Sequence, residues 1–393
     1  MVYVPRRSSS SFSFRSSSSP PAMSKQSNTI GDDTGASLPE DQVLDVLTRV
    51  PLDDLAACRV VSTRWRSITY DPAFAPLHCR RTATVSGYFL QGMDHNRHRV
   101  EFVSMHASPA ISLDFLPSSN ARIEAVAAHR GLACCVGFFD TPRRRPPCYY
   151  VCKPATRQWR ALPSPRTRFH TAAMAMAAKP CSDAAVKAVF KIVRFSIPKV
   201  HNYLHCEVFD SRRFAWRRAP DVHCEVSLPL TPAVGAHGAM HWLRWYGQDV
   251  FAFDLESEAW RVIALPREVD ERRDPRARKQ LSAMAGRLCL LVTTTTEAGA
   301  GEEVLDVWEM ANYAEGRWER KMTVSLKSLR AEEGAMMLRH LYSSDVGFLD
   351  SLIYKAMWYD FRRGKKVAEV KVDQACVEHV FKFESDMIPC KLR

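Results

Sequence analysis

Phe209-Asp-Ser-Arg-Arg-Phe-Ala-Trp216-Arg217 recurs in the chain in one frame. Its other copies are Cys152-Lys-Pro-Ala-Thr-Arg-Gln-Trp159-Arg160 and Phe253-Asp-Leu-Glu-Ser-Glu-Ala-Trp260-Arg261. Each places a strand end, a polar turn and a tryptophan seven residues after the strand-end residue. A looser copy joins Trp308-Glu-Met to Gly316-Arg317-Trp318-Glu319. A decayed one, Tyr359-Asp360-Phe361-Arg362-Arg363-Gly364, lacks the tryptophan. Tryptophans at 159, 216, 260 and 318 are spaced near the roughly 40–50 residues of a propeller blade. The copies differ in length, which leaves the number of blades open.

A second element leads a strand with glycine, in Gly131-Leu-Ala-Cys, Gly238-Ala-Met-His-Trp242 and Gly286-Arg-Leu-Cys-Leu290. The pattern predicts a blade with a glycine-led inner strand, a second strand, a polar turn and a tryptophan-bearing outer strand. Four-stranded blades leave apolar faces that only neighbouring blades can cover, so the array must stack. The tryptophans are read as packing between blades rather than as ligand-stacking surfaces. Asp210, Asp254 and Asp360 are read as turn supports. From about Arg81 onward short β-rich runs separated by Pro, Gly and Asp dominate, among them Val100–Val103, Phe190–Phe195, Val250–Phe253 and Val304–Trp308.

The N-terminal part differs. Residues 1–36 hold polyserine blocks with Arg6, Arg7 and Arg15 and no acid before Asp32. Too little apolar surface offsets their ordering entropy, so a disordered tail is expected, with an organelle-targeting segment as the other reading. From Ser37 the pattern becomes helical. Ser37 and Glu40 have capping-box spacing, and Val43, Leu44, Leu47 and Val50 follow at helical intervals before Pro51. A second segment holds Leu52 and Leu55. A third holds Val61, Trp65 and Ile68 and stops before Asp71-Pro72. Three helices this short cannot bury all their apolar side chains among themselves, which points to a docking surface.

Composition bounds the function. The 393 residues are 46% hydrophobic and 25% charged, with a formal net charge of +12, as in a globular chain. No run reaches the roughly 18–20 apolar residues of a membrane helix, so no membrane partner is expected. The 12 cysteines are scattered without a C-x-x-C pair, which reads as reduced thiols in the cytoplasm or nucleus. Cys148-x3-Cys152 and Cys376-x2-His379 lack a matching second half for zinc. His201, Tyr203 and His205 alternate on one possible strand, but no catalytic motif accompanies them. No catalytic residue, metal or cofactor is expected. Arginine runs at 143–145, 272–279 and 362–366 favour acidic partners. No nucleic-acid-binding signature accompanies them, so nucleic acid is not the expected partner.

The stretch Leu38-Pro39-Glu40-Asp41, Val43, Val46-Leu47, Arg49-Val50-Pro51, Leu55, Cys58-Arg59, Val61, Trp65-Arg66-Ser67-Ile68, Asp71-Pro72-Ala73-Phe74 and His78 closely resembles an F-box. Val61-Ser62-Thr63 departs mildly from the Val-Cys-Lys that the family often carries. Phe190-Lys191-Ile192-Val193-Arg194-Phe195 and Lys153-Pro154-Ala155-Thr156-Arg157-Gln158-Trp159-Arg160-Ala161-Leu162-Pro163 resemble the F-box-associated β-repeat region of plant F-box proteins, of kelch type. The fold expected is multidomain α+β: a tail over 1–36, a three-helix F-box over 37–78, and an all-β propeller-like domain of repeated four-stranded blades over 79–393.

This resemblance implies a substrate receptor of an SCF-type cullin-RING ubiquitin ligase. The F-box would dock on a Skp-type adaptor, and through it on cullin and RING subunits, while the β-domain holds an unidentified protein substrate. Leu38, Pro39, Val43, Leu47, Pro51, Leu55, Trp65 and Ile68 match family positions that hold the module together and face the adaptor. Loops 142–147, 267–279 and 294–303 are the candidates for substrate contact by length and charge, with no substrate residue assigned. A non-degradative adaptor-bound regulator and a basic nucleic-acid-associated regulator are the competing readings.

Overall fold

The computed structural model describes residues 38–71, 73–105, 110–138, 146–179, 188–198, 203–223, 231–244, 249–272, 276–295, 302–351, 354–373 and 376–392. The expected tail over 1–36, Ser37, Arg143–Arg145 and His201 lie outside the described residues.

The head has four helices rather than three: α1 (Glu40–Leu47), α2 (Leu52–Val61), α3 (Thr63–Tyr70) and α4 (Phe74–Thr82). Val61 closes α2 instead of opening the third segment. Ser62 is the cause: its backbone is extended and its Oγ accepts from the Trp65 N–H at 3.0 Å, capping α3. The fourth helix follows Asp71-Pro72, the point where the helical pattern of the sequence stops. Asp71 Oδ1 accepts from the Ala73 N–H at 2.8 Å, and Pro76 falls in the first turn, where a missing N–H is no loss. The last helix therefore runs past residue 78. It ends on Ala83 in the left-handed region, φ 51 and ψ 44, and the next residue already belongs to a strand.

That strand is β1 (Thr84–Asp94), paired with β2 (Arg97–Val103). Five antiparallel four-stranded blades follow. Blade 1 is β3 (Asn120–Ala127), β4 (Leu132–Phe138), β5 (Cys148–Lys153) and β6 (Gln158–Leu162). Blade 2 is β7 (His170–Ala178), β8 (Phe190–Ile197), β9 (His205–Asp210) and β10 (Ala215–Arg218). Blade 3 is β11 (Val234–Ala236), β12 (Ala239–Leu243), β13 (Asp249–Phe253) and β14 (Trp260–Ala264). Helix α5 (Arg267–Arg272) leads to blade 4: β15 (Arg278–Met284), β16 (Arg287–Thr295), β17 (Glu303–Asn312) and β18 (Arg317–Ser325). Helix α6 (Lys327–Glu333) leads to blade 5: β19 (Met337–Leu341), β20 (Val346–Ser351), β21 (Lys355–Asp360) and β22 (Lys365–Lys371). The last strand, β23 (His379–Asp386), returns to β1 in a register from Thr84↔Asp386 to Gln91↔His379. The propeller thus has six blades. Among the described residues the sixth departs from the four-stranded expectation, with three strands in the order β2-β1-β23.

Apolar cores lie between the blades, as stacking requires. Phe195 of blade 2 meets Trp242, Phe251 and Phe253 of blade 3. Tyr88 of the closing blade stacks on Phe348 of blade 5, ring centroids 4.0 Å apart. On the other side of the closing blade, Phe89 and Phe383 pack with Ile123 and Cys135 of blade 1.

Every repeat copy is the hairpin joining the third and fourth strands of a blade. Trp159, Trp216 and Trp260 face Cys152, Phe209 and Phe253 across it, and Trp318 faces Met310. In blade 5 the position seven residues after Tyr359 is Lys366. Asp210 Oδ1 accepts from the Arg212 N–H at 2.8 Å, Asp254 Oδ1 from Glu256 at 2.7 Å, and Asp360 Oδ1 from Arg363 at 2.9 Å. The tryptophans divide into two kinds. Trp216 Nε1 donates to Pro163 O at 2.7 Å, and Trp318 Nε1 to Ala264 O at 2.9 Å, each reaching the preceding blade. Trp159 and Trp260 are 42% and 38% exposed and pack instead on Tyr150 and Phe251 of their own blades.

The glycine-led strands are second strands, not the innermost ones. The innermost strands precede them, and the glycines sit in the tight turns between. His237-Gly238 and Ala285-Gly286 both take positive φ, the pair of values a two-residue I′ hairpin needs. Gly131 combines a φ of 63° with close approach: a Cβ there would lie 2.1 Å from Ser385 Oγ of the neighbouring inner strand.

Candidate functional site

Connectivity gives the propeller two unlike rims. Turns joining first to second and third to fourth strands lie on the rim where β1 leaves the head. Connections between second and third strands, and those between blades, lie on the far rim. All three loops expected to touch substrate belong to connections on the far rim. The 267–279 segment is partly helical, because Val269 of α5 buries itself beside Leu265 and Trp308. Residues 139–145 and 296–301 lie outside the described residues. The basic run at 362–366 falls on the opposite, head-side rim.

In the head, α1 puts Val43 and Leu47 on one face at i and i+4, and both are buried. Leu55, Ile68 and Phe74 complete this core, with Trp65 half-buried against it. Of the eight residues matched to the adaptor-facing pattern, Val43, Leu47, Leu55 and Ile68 are therefore interior side chains. They can act on a partner only by holding the surface in shape. Leu38, Pro39 and Pro51 are exposed. The sequence reading missed Val46 and Val61, 53% and 64% exposed. The sequence spacing groups Val61 with Trp65 and Ile68, and only the break at Ser62 and the packing of α2 turn it outward.

The head is fixed internally and to the propeller. His78 Nε2 donates to Val50 O at 2.8 Å, and Arg81 pairs with Asp45 at 2.6 Å, tying α4 to α1. Leu55, Arg59, Phe74 and His78 meet Thr84, Val85, Tyr342 and Glu384 across a residual cavity of only about 30 Å³. Glu384 is buried here and hydrogen-bonded to His129 Nδ1 at 2.6 Å. Burial pushes its carboxyl up, but Lys382, His129 and Arg59 outweigh this and hold it well below the usual carboxylate range.

His205 and Asp221 pair at 3.0 Å within blade 2, while Tyr203 lies against His223. Among the described residues no group of three His, Cys, Asp or Glu side chains is placed to hold a metal.

His241 gives the propeller a defined acid response. Its Nδ1 donates to Val234 O at 3.1 Å, so Nε2 accepts from the Tyr313 hydroxyl at 2.8 Å. Burial pushes its pKa down to about 4. Free in the unfolded chain it would titrate near 6.5. The unfolded state therefore binds the proton first, and stability falls as pH drops from 6.5 towards 4. Thermal melts across this window are expected to show a steep loss of Tm, with a shallower slope in His241→Gln. An equal slope in the variant would remove His241 from the account.

Comparison with known proteins agrees with a helical head followed by a propeller. The F-box associated beta propeller domain matches residues 93–341, and the F-box-like domain matches residues 36–75. F-box protein At5g41720 of Arabidopsis thaliana is 34% identical over 139 residues, covering 34% of this chain and 74% of that protein. F-box protein At5g49610 of the same plant is 25% identical over 308 residues, covering 75% and 81%. F-box/LRR-repeat/kelch-repeat protein At2g27520, also from Arabidopsis thaliana, is 24% identical over 240 residues, covering 58% and 60%. A four-helix head set directly on a six-bladed propeller, matched along both parts, makes this chain a member of the F-box proteins that carry an F-box associated β-propeller domain.

Proposed function

We propose that the chain is the substrate-recognition subunit of an SCF-type cullin-RING ubiquitin ligase. The head docks on a Skp-type adaptor, which connects it to the cullin and RING subunits. The far rim of the propeller holds a target protein in the cytoplasm or nucleus. The transfer chemistry belongs to other subunits, and this chain contributes proximity and orientation. One observation carries the reading: the F-box-like head packs Val43, Leu47, Leu55, Ile68 and Phe74 into its own core and leaves the large apolar side chains of Leu38, Val46 and Val61 exposed. Burying a large apolar side chain contributes on the order of 1.5–3 kcal/mol, so a few suffice for a firm dock.

The test is co-purification of tagged full chain with a Skp-type adaptor and cullin. Leu38→Ala with Pro39→Ala, and separately Val46→Asp with Val61→Asp, are each expected to lower adaptor recovery by about tenfold or more. The Tm should stay unchanged, because none of these four side chains is in the core. Full recovery of adaptor by both double variants would overturn the assignment. Proteins retained by the unaltered chain when the proteasome is inhibited, and enriched over a propeller carrying altered far-rim loops, are the expected targets.

A further inference from the structure

The six innermost strands surround an axial cavity of about 900 Å³. Sites for small organic molecules span roughly 300–1,000 Å³. Two kinds of wall enclose this one. Blades 1 to 4 line it with residues that have almost no side chain, including Ala125, Ala127, Ala175, Gly235 and Ala283. They provide apolar surface and room. The charged part of the wall is nearly all cationic: Arg130, Arg244, Lys279, Arg339 and Lys382, against Glu378 as the single acid among the described lining residues.

The carboxylates that pair with three of these cations stand away from the lumen. Arg244 reaches Asp249 at 2.7 Å, Arg339 reaches Asp350 at 2.5 Å, and Lys382 reaches Glu384 at 3.3 Å. None of the three acids lines the cavity, and Asp350 and Glu384 are buried behind it. In each pair the cationic residue is the one that lines the cavity. Histidines on the wall register this field. Burial pushes His379 down to about 4, with Arg122 and Arg339 adding to it. Burial does the same to His340, also to about 4, assisted by Lys382 and Arg339 and opposed by its hydrogen bond to Val380 O. They line the cavity as neutral rings, so its charge comes from the arginines and lysines, with Glu378 opposing them.

We propose that this channel binds a small organic anion with an apolar body. Its charged group sits at the far-rim mouth, which Lys279 and Arg339 line from neighbouring inner strands. Its body lies along the alanine and glycine wall. The site is independent of any docking of the head and stands or falls without the ligase reading.

The test uses the full chain and 8-anilino-1-naphthalenesulfonate, an amphipathic anion whose fluorescence reports binding, with uncharged N-phenyl-1-naphthylamine as its neutral counterpart. One saturable site per chain is expected for the anion, and binding about tenfold or more weaker for the neutral probe. Gly235→Phe should block the channel. A Cβ at Gly235 meets only Met240 side-chain atoms, at 3.6 Å, so the ring can enter the lumen without displacing backbone. Lys279→Glu should weaken the anion about tenfold and leave the neutral probe unchanged. It carries the test alone if Gly235→Phe lowers the Tm. Absence of saturable anion binding, equal affinity for the two probes, or anion binding unchanged in a folded Gly235→Phe or in Lys279→Glu would each overturn the proposal.

Discussion

Removal of residues 379–393 is expected to leave a chain that cannot be recovered in soluble form. The deletion takes away β23, which supplies the innermost strand of the closing blade and pairs with β1 along its whole length. Val380, Phe381 and Phe383 are lost from the cores on both sides of that blade, each buried side chain contributing about 1.5–3 kcal/mol. The edge of β1 is left open, and an open edge beside uncovered aromatic rings is a template for aggregation. Phe383→Ala is the graded form of the same experiment. Phe383 is fully buried against Phe89 and Phe102, and a loss of about 3–5 kcal/mol is expected. Soluble yield and thermal unfolding measure both. A soluble, cooperatively melting truncated chain would show that the ring does not need its last strand.

Glu207→Ala should be the most damaging single substitution among the charged residues. Glu207 is fully buried on β9, and its carboxylate takes Arg194 Nη1 at 2.7 Å. It also accepts from the Arg166 N–H at 2.8 Å and the Thr167 hydroxyl at 2.9 Å. Arg194, itself buried, donates further to Thr171 Oγ1 and Phe169 O. Such a pair is stable because each donor and acceptor is met. Removing one partner strands a buried charge at a cost of about 3–5 kcal/mol. Replacing both, as Arg194→Met with Glu207→Leu, removes the charge together with its partner and should recover most of that loss. Urea unfolding of the two variants checks this. Because Glu207 also holds the backbone at 166–167 on the far rim, the single variant should expose that segment to protease before the whole chain melts. A double variant less stable than Glu207→Ala would reverse the argument.

The hairpins were legible in the sequence because three signals coincide there: an apolar strand end, an aspartate that closes the turn through its own carboxylate, and a tryptophan opposite. The innermost strands were not. His170–Ala178 reads HTAAMAMAA and Val234–Ala236 has three residues. Crowding around the axis selects alanine and glycine, which carry little strand propensity. The closing blade was hidden because Thr84 and Asp386 stand at opposite ends of the domain's sequence. Within the head, spacing identified the module but could not separate interior from surface. Val43 and Val46 are three residues apart on one helix, yet one is buried and the other exposed. Only the third dimension distinguishes them.

Ala83 is the single residue between the head's final helix and the propeller's first strand. With no tether to swing on, the angle between grip and anchor is set when the chain folds. Under the proposed ligase function, a captured protein would present one fixed arc of its surface, and lysines outside that arc would escape modification however tightly the protein is held. Lengthening this joint with a few glycines should broaden the set of modified lysines without altering affinity, a change that mass spectrometry of the product would read directly.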